Sequence, residues 1–111
     1  MIKLRSPLKI EPDPQGGWHL ILRVGDAFDY TTPFRAILAD IADLLGEHPR
    51  NEVRLPIFAE GEDFVEGTIQ FGDAPLRVYY EHSLGYIALG SDDEATLVGV
   101  AERIQPKIVI G

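Results

Sequence analysis

The sequence predicts an α+β fold, with a largely antiparallel β-sheet of about six to seven strands and two amphipathic helices packed on one face. The prediction rests on two patterns. Several short segments alternate apolar and polar residues, as half-buried strands do, and two longer segments repeat apolar residues at helical spacing. The chain has 111 residues, a length typical of one domain, so we interpret residues 1–111 as a single domain.

The first half of the chain is expected to form an N-terminal hairpin followed by a helix. An edge strand interrupted by proline lies within residues 3–10, and a turn rich in proline and glycine separates it from a strand at 18–24. Thr32 and Pro33 have the residue types of a helix start, and Gly46 that of a helix end. The apolar stripe of this helix contains Phe34, Ile37, Leu38, Ile41, Leu44 and Leu45.

The second half is expected to form an antiparallel meander, a second helix and a short last strand at residues 107–110. The strands of the meander lie within residues 52–60, 64–71, 76–81 and 86–89. Ser91 and Glu94 have the spacing of a capping box, which predicts the start of the second helix. Its buried stripe is predicted to contain Leu97, Val98, Val100, Ala101 and Ile104.

The absence of cysteine narrows the possible chemistry. Without cysteine there is no disulfide, no thiolate metal ligand and no cysteine nucleophile. The N-terminal residues lack the apolar region of a signal peptide, and no apolar run approaches the roughly 18 residues of a membrane span. We therefore expect a cytoplasmic protein that does not enter a membrane.

The charge balance is the most unusual property of the composition. Ten Lys and Arg residues stand against eighteen Asp and Glu residues, which gives a net charge of −8. Nucleic acids and anionic membranes are bound through clustered basic residues, so the balance disfavours both as partners. A basic protein partner fits this charge, whereas the simplest alternative is that the charge serves solubility alone.

The three histidines do not form a recognisable metal or catalytic pattern. His19 lies on the outward side of its predicted strand, His48 follows the first helix, and His82 lies in a turn between a glutamate and a serine. No two of them have the i, i+4 spacing of a zinc-binding helix. Neighbours on a strand point to opposite faces, so we expect His82 to be a surface turn residue rather than part of a relay.

Other signatures of chemistry are missing, and we predict no cofactor and no metal. The chain has no glycine-rich phosphate loop and no nucleophile elbow. The acidic run at residues 92–94 is explained by the favourable position of carboxylates at a helix start. Tyrosines that stack on nucleic-acid bases need a basic groove around them, and only Arg77 lies near Tyr79, Tyr80 and Tyr86.

Acidic residues therefore supply the candidate partner-binding surface. Four of them crowd the tip of one predicted hairpin: Glu60, Glu62, Asp63 and Glu66. A second set follows the exposed side of the first helix: Asp40, Asp43 and Glu47. Phe28, Phe58 and Phe64 lie near these acids in sequence and could act as aromatic anchors ringed by charge, although burial in the core is the simpler expectation for each.

The leading hypothesis is an acidic protein-binding module that recognises a basic partner by surface complementarity. Its most specific form is a bacterial immunity or antitoxin-type protein, small and acidic, that covers the basic active site of a toxin such as a nuclease. This hypothesis rests on the charge, the lack of catalytic motifs and the α+β fold.

Two alternatives come from other classes. One is a small ligand-binding domain or enzyme with a pocket between the sheet and the helices. Its candidate lining residues are Trp18, Tyr79, Tyr80, Tyr86, His19 and His82. The other is a self-associating structural subunit that uses the strand at 108–110 to extend a sheet between chains, so that both a monomer and a homodimer remain open.

Overall fold

The computed structural model describes residues 2–45, 56–57, 59–71 and 74–111. Within these residues the chain forms seven strands and two α-helices, which confirms the predicted α+β class. In chain order the elements are β1 (Ile2–Leu4), β2 (Lys9–Pro12), β3 (Trp18–Arg23), α1 (Phe34–Leu45), β4 (Phe64–Phe71), β5 (Ala74–Glu81), β6 (Tyr86–Ser91), α2 (Glu94–Ile104) and β7 (Ile108–Ile110), with a 3₁₀ turn at Gln105–Lys107 before the last strand. Neither helix is long and apolar enough to cross a bilayer.

Five strands form an antiparallel sheet in the order β2-β3-β6-β5-β4, and β1 pairs with β7 in a separate parallel pair. The predicted edge strand at residues 3–10 was wrong in this respect, since the segment divides into β1 and β2, which belong to different sheets. Pro7 lies between the two and has no N–H to donate to a continuous ladder. The predicted hairpin is formed by β2 and β3, where Pro12 pairs with Trp18.

Both helices pack on one face of the five-stranded sheet. The sheet buries alternate residues on that face: Leu20, Leu22, Val65, Ile69, Leu76, Val78, Tyr80, Ile87 and Leu89. The helices contribute Phe34, Leu38, Ile41, Leu45, Leu97, Val100 and Ile104 to the same cluster. Because side chains alternate along a strand, the remaining sheet residues point to the opposite face. We call this opposite face, which no described helix covers, the open face.

The start and the buried stripe of α2 differ in detail from the prediction. The N-cap is Asp93, whose side chain accepts a hydrogen bond from the Ala95 N–H at 3.2 Å, and not Ser91. Ser91 still belongs to β6, and its hydroxyl accepts from the Asp93 N–H at 3.1 Å. Val98, predicted to be buried, is 43% exposed. It lies about 100° around the helix from Leu97, at the margin of the stripe.

The predicted strand at 52–60 is not present in its described part. Residues 56, 57, 59 and 60 lie outside any strand, and the Glu62 N–H donates to the Ala59 carbonyl at 3.1 Å to close a turn. Pro56 has no N–H for a ladder, and Gly61 takes a positive φ of 75°. Residues 52–55 and 58 lie outside the described residues.

Gly85 joins the β5–β6 turn to the loop after β3, and we expect alanine to be poorly tolerated there. Its φ is +72°, and an added Cβ would lie 2.5 Å from the Gly25 carbonyl oxygen. Gly61 has a similar φ of +75°, but no atom of the described residues lies within 4 Å of its added Cβ. Gly61→Ala should therefore lower the free energy of unfolding by about 1 kcal/mol through backbone strain alone, and Gly85→Ala by about 2 kcal/mol.

Chemical denaturation of the two variants measures this difference. Equal losses would show that the close approach of Gly85 to Gly25 does not constrain the turn.

Candidate functional site

Large apolar side chains are exposed together at one end of the five-stranded sheet. Phe28 and Phe64 are 72% and 56% exposed, and Tyr30 and Leu84 are also exposed. The Phe28 N–H donates to the His82 carbonyl at 2.9 Å. The Tyr30 ring stacks on the His82 ring with centroids 5.2 Å apart. These contacts bring the loop after β3 to the β5–β6 turn, and we call Phe28, Tyr30, Phe64 and Leu84 the apolar end.

The expected burial of Phe28 and Phe64 was therefore wrong, and Phe58 lies outside the described residues. Phe28 has a φ of 63°, in the left-handed region that a bulky L-residue rarely occupies. Its N–H bond to the carbonyl of His82 holds this conformation. The left-handed backbone at Phe28 thus presents its aromatic ring to solvent.

His82 is buried, which corrects the expectation of a surface histidine. The edge of its ring meets Phe34 with centroids 4.8 Å apart and Tyr80 with centroids 6.0 Å apart. Its Nδ1 lies 3.2 Å from the Asp29 carbonyl oxygen. The residue after Glu81 points to the inner side of the sheet, so His82 joins the aromatic core and anchors the loop that carries the apolar end.

Glu62 points into the protein, toward Arg35 and Tyr80. Its carboxylate accepts two hydrogen bonds from the Arg35 guanidinium, at 3.0 and 2.9 Å, and one from the Tyr80 hydroxyl. The Ala59 N–H donates to it at 3.3 Å. These donors, Arg35 first, lower the pKa of Glu62 to about 2, while burial raises the pKa of Tyr80 to about 12. Its side chain is 11% exposed, so this residue holds the turn before β4 onto α1.

Of the other three acids of the predicted hairpin, Asp63 and Glu66 lie beside the apolar end. Glu60 and Glu66 are exposed, and neither makes an ion pair with another described residue. Asp63 is half-buried, and its Oδ1 has no hydrogen-bond partner within the described part of the chain. Its carboxylate hydrogen-bonds the Tyr30 hydroxyl and so raises the pKa of Tyr30. Asp63 and Glu66 therefore place negative charge beside Tyr30 and Phe64, respectively.

The second acidic set, which follows the exposed side of the first helix, has two described members. Asp40 and Asp43 are exposed on α1, as predicted, and flank a depression of about 330 Å³ beside Lys107. Because α1 covers the inner face of the sheet whereas Glu66 is on the open face, Asp40 and Asp43 lie on a different side of the sheet from Glu66. Glu47 lies outside the described residues.

The open face carries a groove of about 670 Å³, within the size range of ligand sites. Phe64, Glu66, Tyr79, Tyr86 and His19 contribute to its lining. Trp18 and Tyr80 belong to the inner face, where both contribute to the core. The residues suggested for a pocket between sheet and helices are thus divided between the two faces, and they do not form one pocket.

A hydrogen-bonded carboxylate lies at the junction of the groove and the apolar end. Glu81 accepts from the Ser83 and Tyr79 hydroxyls, and both bonds lower the pKa of Glu81. Burial, followed by the bond to Glu81, raises the pKa of Tyr79 above its usual value. The tyrosine thus stays neutral while the carboxylate stays charged at neutral pH.

Ser83 and His82 are adjacent in sequence but are held by different contacts. The Ser83 hydroxyl donates to Glu81, whereas the neighbouring His82 ring is held in the core by Asp29 and the aromatic rings, so no Ser–His pair forms there. Within the described residues no three His, Asp or Glu side chains are placed to hold a metal ion. Asp92, one of the acids at the start of α2, binds Arg77 at 3.0 Å.

Sequence reasoning missed Tyr30 and Leu84 as exposed contacts, and it missed the inward turn of Glu62. Part of the site could be predicted from the alternation of side chains along the strands. Tyr79 and Glu81 flank Tyr80, which the alternation of this strand predicts to point inward, and the pleat therefore places both on the outer face. The positions of Tyr30 and Leu84 depend on loop contacts, for which the sequence pattern gives no signal.

No protein-family model, curated protein or solved structure matches this chain.

Proposed function

We propose that this chain is an acidic protein-binding module that recognises a basic protein partner through the apolar end and the carboxylates around it. In its most specific form the module is a bacterial immunity or antitoxin-type protein that acts in the cytoplasm. It would cover the basic active site of a toxin, such as a nuclease, and neutralise it.

The observation that carries this proposal is the exposure of Phe28 and Phe64 beside carboxylates that lack a described cationic partner. Aromatic side chains that leave water on binding supply most of the affinity of many interfaces, and a ring of polar residues excludes water around them. Glu60 and Glu66 supply part of such a ring here. Exposed aromatic rings do not aid solubility, so their presence on this surface supports a binding role.

The net charge of −8 gives the proposal its partner chemistry. A protein of this charge attracts basic surfaces over distances of about a Debye length and raises the rate of encounter. Charges at the rim of an interface act mainly on the association rate, whereas buried anchors act mainly on dissociation. The proposal therefore separates the roles of the acids and the aromatic residues.

The experiment begins with affinity capture from the native lysate, washed at low and at high salt. A basic partner released by high salt is then tested for an activity that the module neutralises. Binding kinetics are compared for two double variants with the same change in net charge, Glu60→Lys/Glu66→Lys and Asp40→Lys/Asp43→Lys. We expect Glu60→Lys/Glu66→Lys to slow association several-fold more than Asp40→Lys/Asp43→Lys does. The association rate of the Glu60→Lys/Glu66→Lys variant should also depend less on salt.

The aromatic residues have their own variants. Phe28→Ser and Phe64→Ser should weaken the affinity at least about tenfold each, mainly through faster dissociation. Equal effects of the two charge-reversed variants, together with no effect of the aromatic variants, would contradict the proposed surface. A partner that is not basic, or whose binding does not depend on salt, would contradict the proposed function itself.

A further inference from the structure

The groove on the open face is hollow at its centre because a small residue, Ala88, occupies the central strand there. Ala88 lies between Tyr79 and Ile21 in the cross-strand register, whereas the Arg77 side chain lies over Gly90. Larger side chains on both sides leave a hollow about 670 Å³ in volume. A space of this size accepts a side chain together with a short length of backbone.

Aromatic rings and carboxylates share the walls of this groove. Phe64 and Tyr79 stack with centroids 6.1 Å apart, and Tyr86 lines the groove as well. Glu66 pairs with Tyr79 across β4 and β5, and Asp13 lines the opposite part of the groove. Rings carry negative charge on their faces, so rings and carboxylates together favour a cation.

The basic groups of the groove are already engaged by acceptors. Arg77 binds Asp92 at 3.0 Å and the Gly16 carbonyl at 3.4 Å. His19 lies between the carboxylates of Glu11, at 3.9 Å, and Asp13, at 4.0 Å. An anionic ligand would have to compete with these carboxylates, so the groove disfavours phosphates and acidic side chains.

We propose that the open-face groove binds an arginine side chain of the basic partner, with the guanidinium against Tyr79 and Tyr86 and paired with Glu66. Arginine fits better than lysine because a planar guanidinium stacks on aromatic rings and also donates paired hydrogen bonds to a carboxylate. The inference rests on the proposed function. It adds that the interface extends from the apolar end, through Phe64, onto the open face.

The test is titration of the full chain with acetylated, amidated tetra-arginine at low salt, followed by calorimetry. Tetra-citrulline, the neutral analogue of the same shape, and tetra-lysine are the comparison peptides. We expect tetra-arginine to bind more tightly than tetra-lysine, and tetra-citrulline not to bind measurably. Equal binding of tetra-citrulline would overturn the assignment to a cation, and absence of binding by tetra-arginine would overturn the inference as a whole.

Variants locate the binding site. Tyr79→Leu keeps an apolar side chain without a π face and should weaken tetra-arginine binding about two- to fivefold, whereas Tyr79→Phe should retain it. Glu66→Gln, an exposed change that leaves the fold intact, should weaken binding about twofold or more. Asp40→Asn removes one negative charge on α1 and should have the smaller effect of the two charge-removing variants.

Binding that is equally sensitive to Asp40→Asn and to Glu66→Gln would overturn the groove assignment. The proposed function would then still stand if salt-sensitive capture of a basic partner succeeded, since that result does not depend on the groove. Failure of capture would count against the proposed function whatever the peptides show.

Discussion

Replacing Phe34 with alanine is expected to lower the free energy of unfolding by about 3–5 kcal/mol, because a large aromatic side chain is removed from the core. Phe34 is 2% exposed and stacks on Tyr80 with centroids 4.5 Å apart and planes 12° from parallel. It also meets the His82 ring edge-on. Loss of the ring leaves a cavity between α1 and the sheet, under the loop that carries the apolar end.

Phe64→Ala is the matched control, because the same atoms are removed from a largely exposed position. We expect it to change stability by less than about 1 kcal/mol. Equilibrium denaturation of both variants gives the comparison. Similar losses for the two would mean that the aromatic core of Phe34, Tyr80 and His82 does not hold the protein together as described.

Replacing Glu62 with alanine is expected to lower the free energy of unfolding by about 2–3 kcal/mol. The change leaves the Arg35 guanidinium and the Tyr80 hydroxyl without the acceptor that binds them both. The Arg35 side chain is 29% exposed and can still reach water, which keeps the loss below that of a fully buried pair. Glu62→Gln keeps one acceptor oxygen and should cost less.

The same contact predicts a dependence of stability on pH. The pKa of Glu62 falls from its ordinary value of 4.5 in the unfolded chain to about 2 in the folded protein. A carboxyl group whose pKa is lower in the folded than in the unfolded chain stabilises the fold fully above pH 4.5. This contribution is lost as the pH falls toward 2. A pKa shift of this size contributes at most about 3 kcal/mol to the free energy of unfolding. Screening by nearby solvent reduces this contribution to about 2 kcal/mol.

Urea denaturation between these pH values measures the effect, with Glu62→Gln as the reference. The parent protein should lose more stability on acidification than the variant does. Parallel curves for the two proteins would show that Glu62 is not ionised against Arg35 in the folded state.

The sequence was sufficient for the elements whose patterns are local. The stripe of α1 and the alternation of β4 and β5 follow directly from the positions of the apolar residues, and the structure confirms them. The N-cap of α2 is Asp93, two residues after the predicted Ser91, because serine and aspartate are both favourable N-cap residues. These features depend on neighbours within one or two turns of chain.

The candidate site was harder to predict because it depends on contacts across the chain. Arg35 and Glu62 are 27 residues apart, and only the packing of α1 on the sheet brings them together. Nothing in the pattern around Glu62 distinguishes it from the exposed Glu60. The buried position of His82 and the exposure of Phe28 likewise depend on the meeting of two loops.

We propose that a basic partner is bound at the apolar end and the adjoining open face. Amide chemical-shift mapping of the labelled chain, with and without the partner recovered by capture, tests it most directly. We predict that the shifts concentrate in residues 26–31, 63–67 and 79–86, with the amides of Asp40 and Asp43 little changed. Shifts confined to the exposed side of α1 would contradict the account.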